Sequence, residues 1–120
     1  MSFAKPLVIN YAAGTKTLPM INQDSYGSEY YLRESTQEFR MKIRHSKETP
    51  TKTGSQMLRH NVELTRTVFG ADGAADVVQQ AYLIYRHGYR DDIDDAAELG
   101  ASLTGLMVEA RFQDLGAWLS

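Results

Sequence analysis

Over residues 38–46 apolar and basic residues alternate almost without interruption. In an extended chain Phe39, Met41 and Ile43 point one way and Arg40, Lys42 and Arg44 the other, because successive strand side chains face opposite sides. This predicts a strand over 38–46, apolar on one face and cationic on the other. The alternation returns over 57–69, with Leu58, His60, Val62 and Leu64 opposite Arg59, Asn61, Glu63 and Thr65. The run "VVQQAYLIYRH" over 77–87 reads as a third long strand, with less distinct faces. Upstream, "SEYYLRE" over 28–34 is a short Tyr-rich strand. Before it, 7–21 reads as a hairpin with strands Leu7–Tyr11 and 17–21, turning over 12–16 around Gly14. Pro19 cannot donate to a strand ladder, so the hairpin is expected at a sheet edge. The polar or small-residue stretches 22–27, 47–54 and 70–76 read as loops.

From Asp92 the period becomes helical. Ile93, Ala96, Leu99, Leu103, Leu106 and Ala110 recur at steps of three and four, predicting a helix over 93–110. A second, over 111–119, holds Phe112, Leu115 and Leu119, with Trp118 alongside. The acidic run 91–95 stands where a helix N-terminus favours negative charge, and Asp95 with Glu98 has capping-box spacing. Strands followed by helices give an α+β chain, not a βαβ alternation. Two short helices can cover only part of the apolar side of such an antiparallel sheet. Ala96, Gly100 and Thr104 stack along the first helix, which suits close approach of another backbone. Packing on the parent sheet and crossing onto a second copy both fit this pattern.

The chain has 120 residues, a length that suits one domain over 1–120. It contains no cysteine, which excludes disulfides and thiolate chemistry. The N-terminal stretch reads as neither a secretory leader nor a membrane span. A net charge of −2 hides an asymmetry: residues 33–66 carry eight basic and four acidic residues, residues 67–120 three basic and nine acidic. The excess in the middle suits a surface that meets a polyanion.

With the expected registers, Arg40, Lys42 and Arg44 share a sheet face with Arg59, Asn61 and Thr65. Gln80, Tyr82 and Arg86 are assigned to the same side, because Ala81 and Leu83 suit the apolar one. Lys and Arg suit phosphates, Asn and Thr suit base edges, and Tyr82 offers a stacking surface. A solvated sheet face carries the same residue types, so pattern alone leaves that reading open. The 91–95 cluster lacks the loop spacing of a calcium site, and helix capping explains it more simply. His45, His60 and His87 lie on three different strands without ligand spacing and read as residues at a core margin. Nothing assembles a nucleophile, base and orienting group, so no enzyme is expected.

The order of elements resembles the coat proteins of single-stranded RNA bacteriophages across essentially the whole chain. The segments "INQDSYGSEYYL" (21–32), "FRMKIRHSKE" (39–48), "RHNVELTRTV" (59–68) and "QQAYLIYRH" (79–87) carry the likeness. The resemblance implies an interlocked homodimer with one continuous sheet, its helices on the outer face and its hairpin at the outside of the particle. It implies icosahedral closure around genomic RNA, in a virion assembled in the bacterial cytoplasm. It also implies hairpin binding that represses translation in some members. RNA contacts would fall on Arg40, Lys42, Arg44, Arg59, Asn61, Glu63, Thr65, Gln80, Tyr82 and Arg86. The dimer interface would include Leu99, Leu103, Leu106 and Trp118. Glu63 is an acid in this contact row, and Arg66 falls on the helix-facing register. No cofactor is expected unless calcium bridges subunits. The competing readings are a small cellular RNA-binding dimer and an α+β ligand-binding protein.

Overall fold

The structure, a computed structural model, describes residue 3 and residues 5–119. Strands β1 (Leu7–Tyr11) and β2 (Gly14–Leu18) form a two-stranded sheet. Strands β3 (Met20–Asp24), β4 (Gly27–Arg33), β5 (Gln37–Lys47), β6 (Met57–Val68) and β7 (Val77–Gly88) follow in sequence order as a five-stranded antiparallel sheet. Helices α1 (Ile93–Leu106) and α2 (Glu109–Gly116) end the chain.

The predicted strand over 17–21 is two strands, divided at Pro19. Leu18 closes the hairpin and Met20 opens β3, while the Pro19 carbonyl accepts a hydrogen bond from the Tyr31 amide at 2.9 Å. The expected loop over 22–27 is mostly strand as well. Asn22, Gln23 and Asp24 have weak strand propensity, but cross-strand partners Glu29, Ser28 and Gly27 recruit them. The reversal is confined to Ser25 and Tyr26, where Asp24 Oδ1 accepts from the Tyr26 amide at 2.8 Å.

Phe39, Met41 and Ile43 are buried together with Leu18 and Tyr30. What covers them differs from expectation. The apolar side of β5 carries the β1–β2 hairpin, which brings Leu7, Ile9, Tyr11 and Leu18 down onto it. Tyr11 meets Phe39 edge to face with ring centres 5.0 Å apart, a favoured aromatic geometry. The hairpin is thus a lid on β4 and β5, and the helices take no part in this core. Phe39 has no exposed surface, so Phe39→Ala should destabilise the fold by about 3–5 kcal/mol, read by denaturant unfolding.

The helices pack sparsely. Asp92 caps α1, its Oδ1 accepting from the amides of Asp94 at 2.9 Å and Asp95 at 3.4 Å, so the expected Asp95–Glu98 box does not form the cap. The first helix ends at Leu106 and not at 110, because Met107 leaves helical geometry and Val108 is extended before α2. No described residue of either helix is buried. Helix α1 meets the sheet at Gly100, where a Cβ would stand 3.7 Å from the Tyr85 ring. The radius of gyration, 17.1 Å, exceeds the roughly 14 Å of a compact domain of this length. These splayed helices account for apolar surface that one chain leaves uncovered.

The 70–76 loop is a built turn. The Gly70 amide donates to Asp76 Oδ1 at 2.8 Å and the Ala74 amide to the Ala71 carbonyl at 2.9 Å. Gly73 has φ +82°, far from the roughly −65° to which proline is fixed. Gly73→Pro should therefore break the turn, and the measurement is the yield and shape of any particles formed.

Candidate nucleic-acid interface

Residues directly opposite in an antiparallel ladder share a face, so the registers decide which side chains stand together. Across β5, β6 and β7 they form four ranks: Arg40–Thr65–Gln80, Lys42–Glu63–Tyr82, Arg44–Asn61–Ile84 and Ser46–Arg59–Arg86. All ten sequence-predicted residues therefore lie on one face, including the three on β7 whose side was ambiguous. It is the face opposite the hairpin. Tyr82 is 62% exposed near its centre.

The ranks are linked by polar contacts. Tyr82 Oη donates to Gln80 Oε1 at 2.8 Å, Gln80 Nε2 to Thr65 Oγ1 at 3.4 Å, and Thr65 Oγ1 to Glu63 Oε1 at 3.3 Å. Arg59 Nε donates to Asn61 Oδ1 at 3.1 Å.

The electrostatics are more balanced than the middle segment of the sequence suggests. Arg40 pairs with Glu29 of β4 and lies 4.8 Å from the centre of the Tyr31 ring. Arg44 pairs with Asp24 of β3 at 3.5 Å. Arg86 makes a bidentate pair with Glu48 at 2.5 and 2.8 Å, and this holds the Glu48 carboxyl below its usual range. Tyr31 donates to Glu38, which raises the Tyr31 hydroxyl above its ordinary value. Among the described residues, Lys42 and Arg59 form no salt bridge within 4.0 Å. Of the ten candidates they are the cations that no carboxylate holds. The Arg44–Asp24 and Arg86–Glu48 pairs are exposed and contribute about 0–1 kcal/mol each, so a phosphate can displace those carboxylates at little cost, whereas the Arg40–Glu29 pair is part-buried.

Sequence reasoning missed Glu29, Tyr31 and Ile84 on this face. The first two were readable, because alternation in "SEYYLR" sets Glu29 and Tyr31 opposite Tyr30 and Leu32. Arg66 lies on the opposite, apolar face, in register with Phe39 and Gln79. There it donates to Gln37 at 2.8 Å and Gln79 at 3.1 Å, and sits over the Tyr11 ring. The four predicted interface residues Leu99, Leu103, Leu106 and Trp118 are all exposed in the single chain. The three histidines, read as separate core-margin residues, are in contact: successive strands set their rings side by side on the apolar face. Among the described residues no group of three or more His, Asp or Glu side chains is arranged to hold a metal ion, and no helix is long and apolar enough to cross a membrane.

The family model described as Phage phiCb5, coat protein, matches residues 4–88, well over half of the chain. The chain belongs to the phage phiCb5 coat protein family. It is a structural protein of the virion of a single-stranded RNA phage. The hairpin, the five-stranded sheet and the two following helices are consistent with the coat fold of these phages. The match spans both sheets of this coat protein and ends with β7, so all ten candidate residues lie within it. No curated protein matches the chain.

Proposed function

We propose that this coat protein forms an interlocked homodimer, that dimers close into an icosahedral shell, and that the polar sheet face meets packaged single-stranded RNA. One observation carries the reading: the ten polar-face residues stand in ranks on the side opposite the hairpin, which no described element covers. Three features support the dimer. Strand β7 is the outer strand of the sheet over twelve residues, and its free edge can pair with a second copy. The apolar residues of α1 and α2 are exposed, among them Trp118 at 96%. On the apolar side of β7, Val77, Gln79 and Ala81 are exposed, and helices from a second copy would fit there.

Phosphates would be held first by Lys42 and Arg59, then by Arg40, Arg44 and Arg86 as they exchange carboxylate for phosphate. Tyr82 would stack a splayed base, worth about 1–3 kcal/mol. Glu63 in the central rank opposes a phosphate there, which favours general packaging over tight recognition of one RNA hairpin. Assembly would take place in the bacterial cytoplasm. Addition of a chelator to purified shells tests whether calcium bridges subunits.

Electron microscopy of the protein expressed alone in bacteria tests the reading. Uniform shells containing host RNA are expected. A soluble dimer that binds RNA without forming shells would favour the cellular RNA-binding alternative.

A further inference from the structure

His45, His60 and His87 form one hydrogen-bonded ladder across β5, β6 and β7. His45 Nδ1 lies 2.9 Å from His60 Nδ1, and His60 Nε2 lies 2.9 Å from His87 Nε2. His87 Nδ1 lies 3.1 Å from the Gly88 carbonyl oxygen. The rings of His60 and His87 lie within 20° of parallel with centres 5.0 Å apart, as in an edge-to-edge hydrogen-bonded pair. A carbonyl oxygen can only accept, so His87 Nδ1 carries a hydrogen. With every ring neutral, the remaining hydrogens follow. His87 Nε2 accepts from His60 Nε2–H, and His60 Nδ1 accepts from His45 Nδ1–H.

The proton count sets a limit. One extra proton fits without loss: placed on His45 Nε2 it leaves the chain as it is, and placed on His87 it reverses the donors. With a second extra proton on the outer rings, His60 must turn an N–H toward another N–H, and one ring-to-ring bond breaks. If His60 takes one of the two protons, both its nitrogens donate, and the second charged ring again meets it N–H to N–H.

No described acid is paired with the ladder. Ile43 and Lys47 flank His45 on β5, Leu58 and Val62 flank His60 on β6, and Leu83 and Tyr85 precede His87 on β7. From the β3–β4 turn the Tyr26 carbonyl accepts from the His45 amide at 2.7 Å, and Lys5, Asp24 and Ser28 line a shallow groove beside His45. Asp91, beyond β7, is occupied by the Gly88 amide. Helix α1 meets this region where Gly100 faces Tyr85, whose ring lies 5.8 Å from that of His60.

We propose that this ladder is a proton-operated latch: neutral or singly charged it ties β5, β6 and β7 together under the helices, and a second proton opens it. Burial and the neighbouring histidines hold His60 below the usual imidazole value. A group depressed in the folded state stabilises above its unfolded pKa, near 6.5, and that stability is lost as pH falls. The latch therefore opens on mild acidification. In an assembled particle the opening would put charge on the apolar face that a second copy covers, a consequence that rests on the assembly proposed above.

The test is thermal unfolding of the purified protein at pH 7.5 and 5.0, followed by circular dichroism, for wild type, His60→Gln and His45→Gln. Glutamine can donate and accept but does not titrate in this range. The wild-type midpoint should fall on acidification by about 5 °C or more beyond the fall in either variant. Equal falls in wild type and a folded variant would overturn the latch. If His60→Gln fails to fold at pH 7.5, His45→Gln, at the exposed end, decides by the same comparison. Light scattering at pH 7.5 reads assembly separately, so a protein that is monomeric but loses the expected stability in acid would sink the assembly reading and leave the latch standing.

Discussion

Leu103→Asp should leave no soluble dimer. Leu103 lies on α1 between Leu99 and Leu106 and is 50% exposed in the single chain. If a second copy covers this stripe, the substitution places a carboxylate in an apolar interface with no cation paired to it. Burying it unpaired costs on the order of 3 kcal/mol or more, at least about a hundredfold in dissociation constant. Leu103→Met, which nearly conserves volume, should be tolerated and serves as the control. Size exclusion with light scattering should show wild type and Leu103→Met as dimers or larger, and Leu103→Asp as monomer or aggregate. A soluble, folded Leu103→Asp dimer would place the interface elsewhere.

Replacing Arg40, Lys42 and Arg44 together with serine should sharply weaken RNA binding and leave the fold intact. All three face away from the hairpin-covered core, so the substitutions open no cavity. Each cation–phosphate pairing removed should lower the log–log salt slope of single-strand affinity by about 0.7, so three such pairings account for about 2. The effect is compounded, because Glu29 and Asp24 lose the arginines that partner them and turn their charge toward the RNA. Lys42→Ser alone should account for the largest single share, since Lys42 needs no carboxylate displaced. Filter binding at several salt concentrations reads the slope, and the ratio of absorbance at 260 and 280 nm reads the RNA content of particles. An unchanged slope would mean these cations only solvate the sheet.

What could be read from the sequence followed the contrast between strand faces. In β5 every apolar position is large and every opposite position charged or polar through Arg44, so both strand and facing were legible. In β7 Val77, Val78, Leu83 and Ile84 spread apolar residues over both sides, and only pairing with β6 settles the facing. An apolar face declares that it needs a cover but not which element supplies it. The hairpin, and not a helix, covers Phe39 because Pro19 ends β2 and lets the chain fold back over the sheet. The charge balance was hidden for a similar reason: Arg40 and Glu29 stand 11 residues apart, Arg44 and Asp24 20 apart. The histidine ladder requires two cross-strand registers at once, which no local spacing encodes.

In the proposed shell one sheet face meets RNA while the other meets protein, and two tyrosines on one strand separate the sides. Tyr82 stands in the central polar rank, and Tyr85 faces the opposite way beside His60 and Gly100. Ultraviolet cross-linking of RNA-filled particles, with adducts located by mass spectrometry, should mark Tyr82 and spare Tyr85 and Trp118. Adducts concentrated on Tyr85 or Trp118, with Tyr82 unmodified, would contradict the assignment of the two faces.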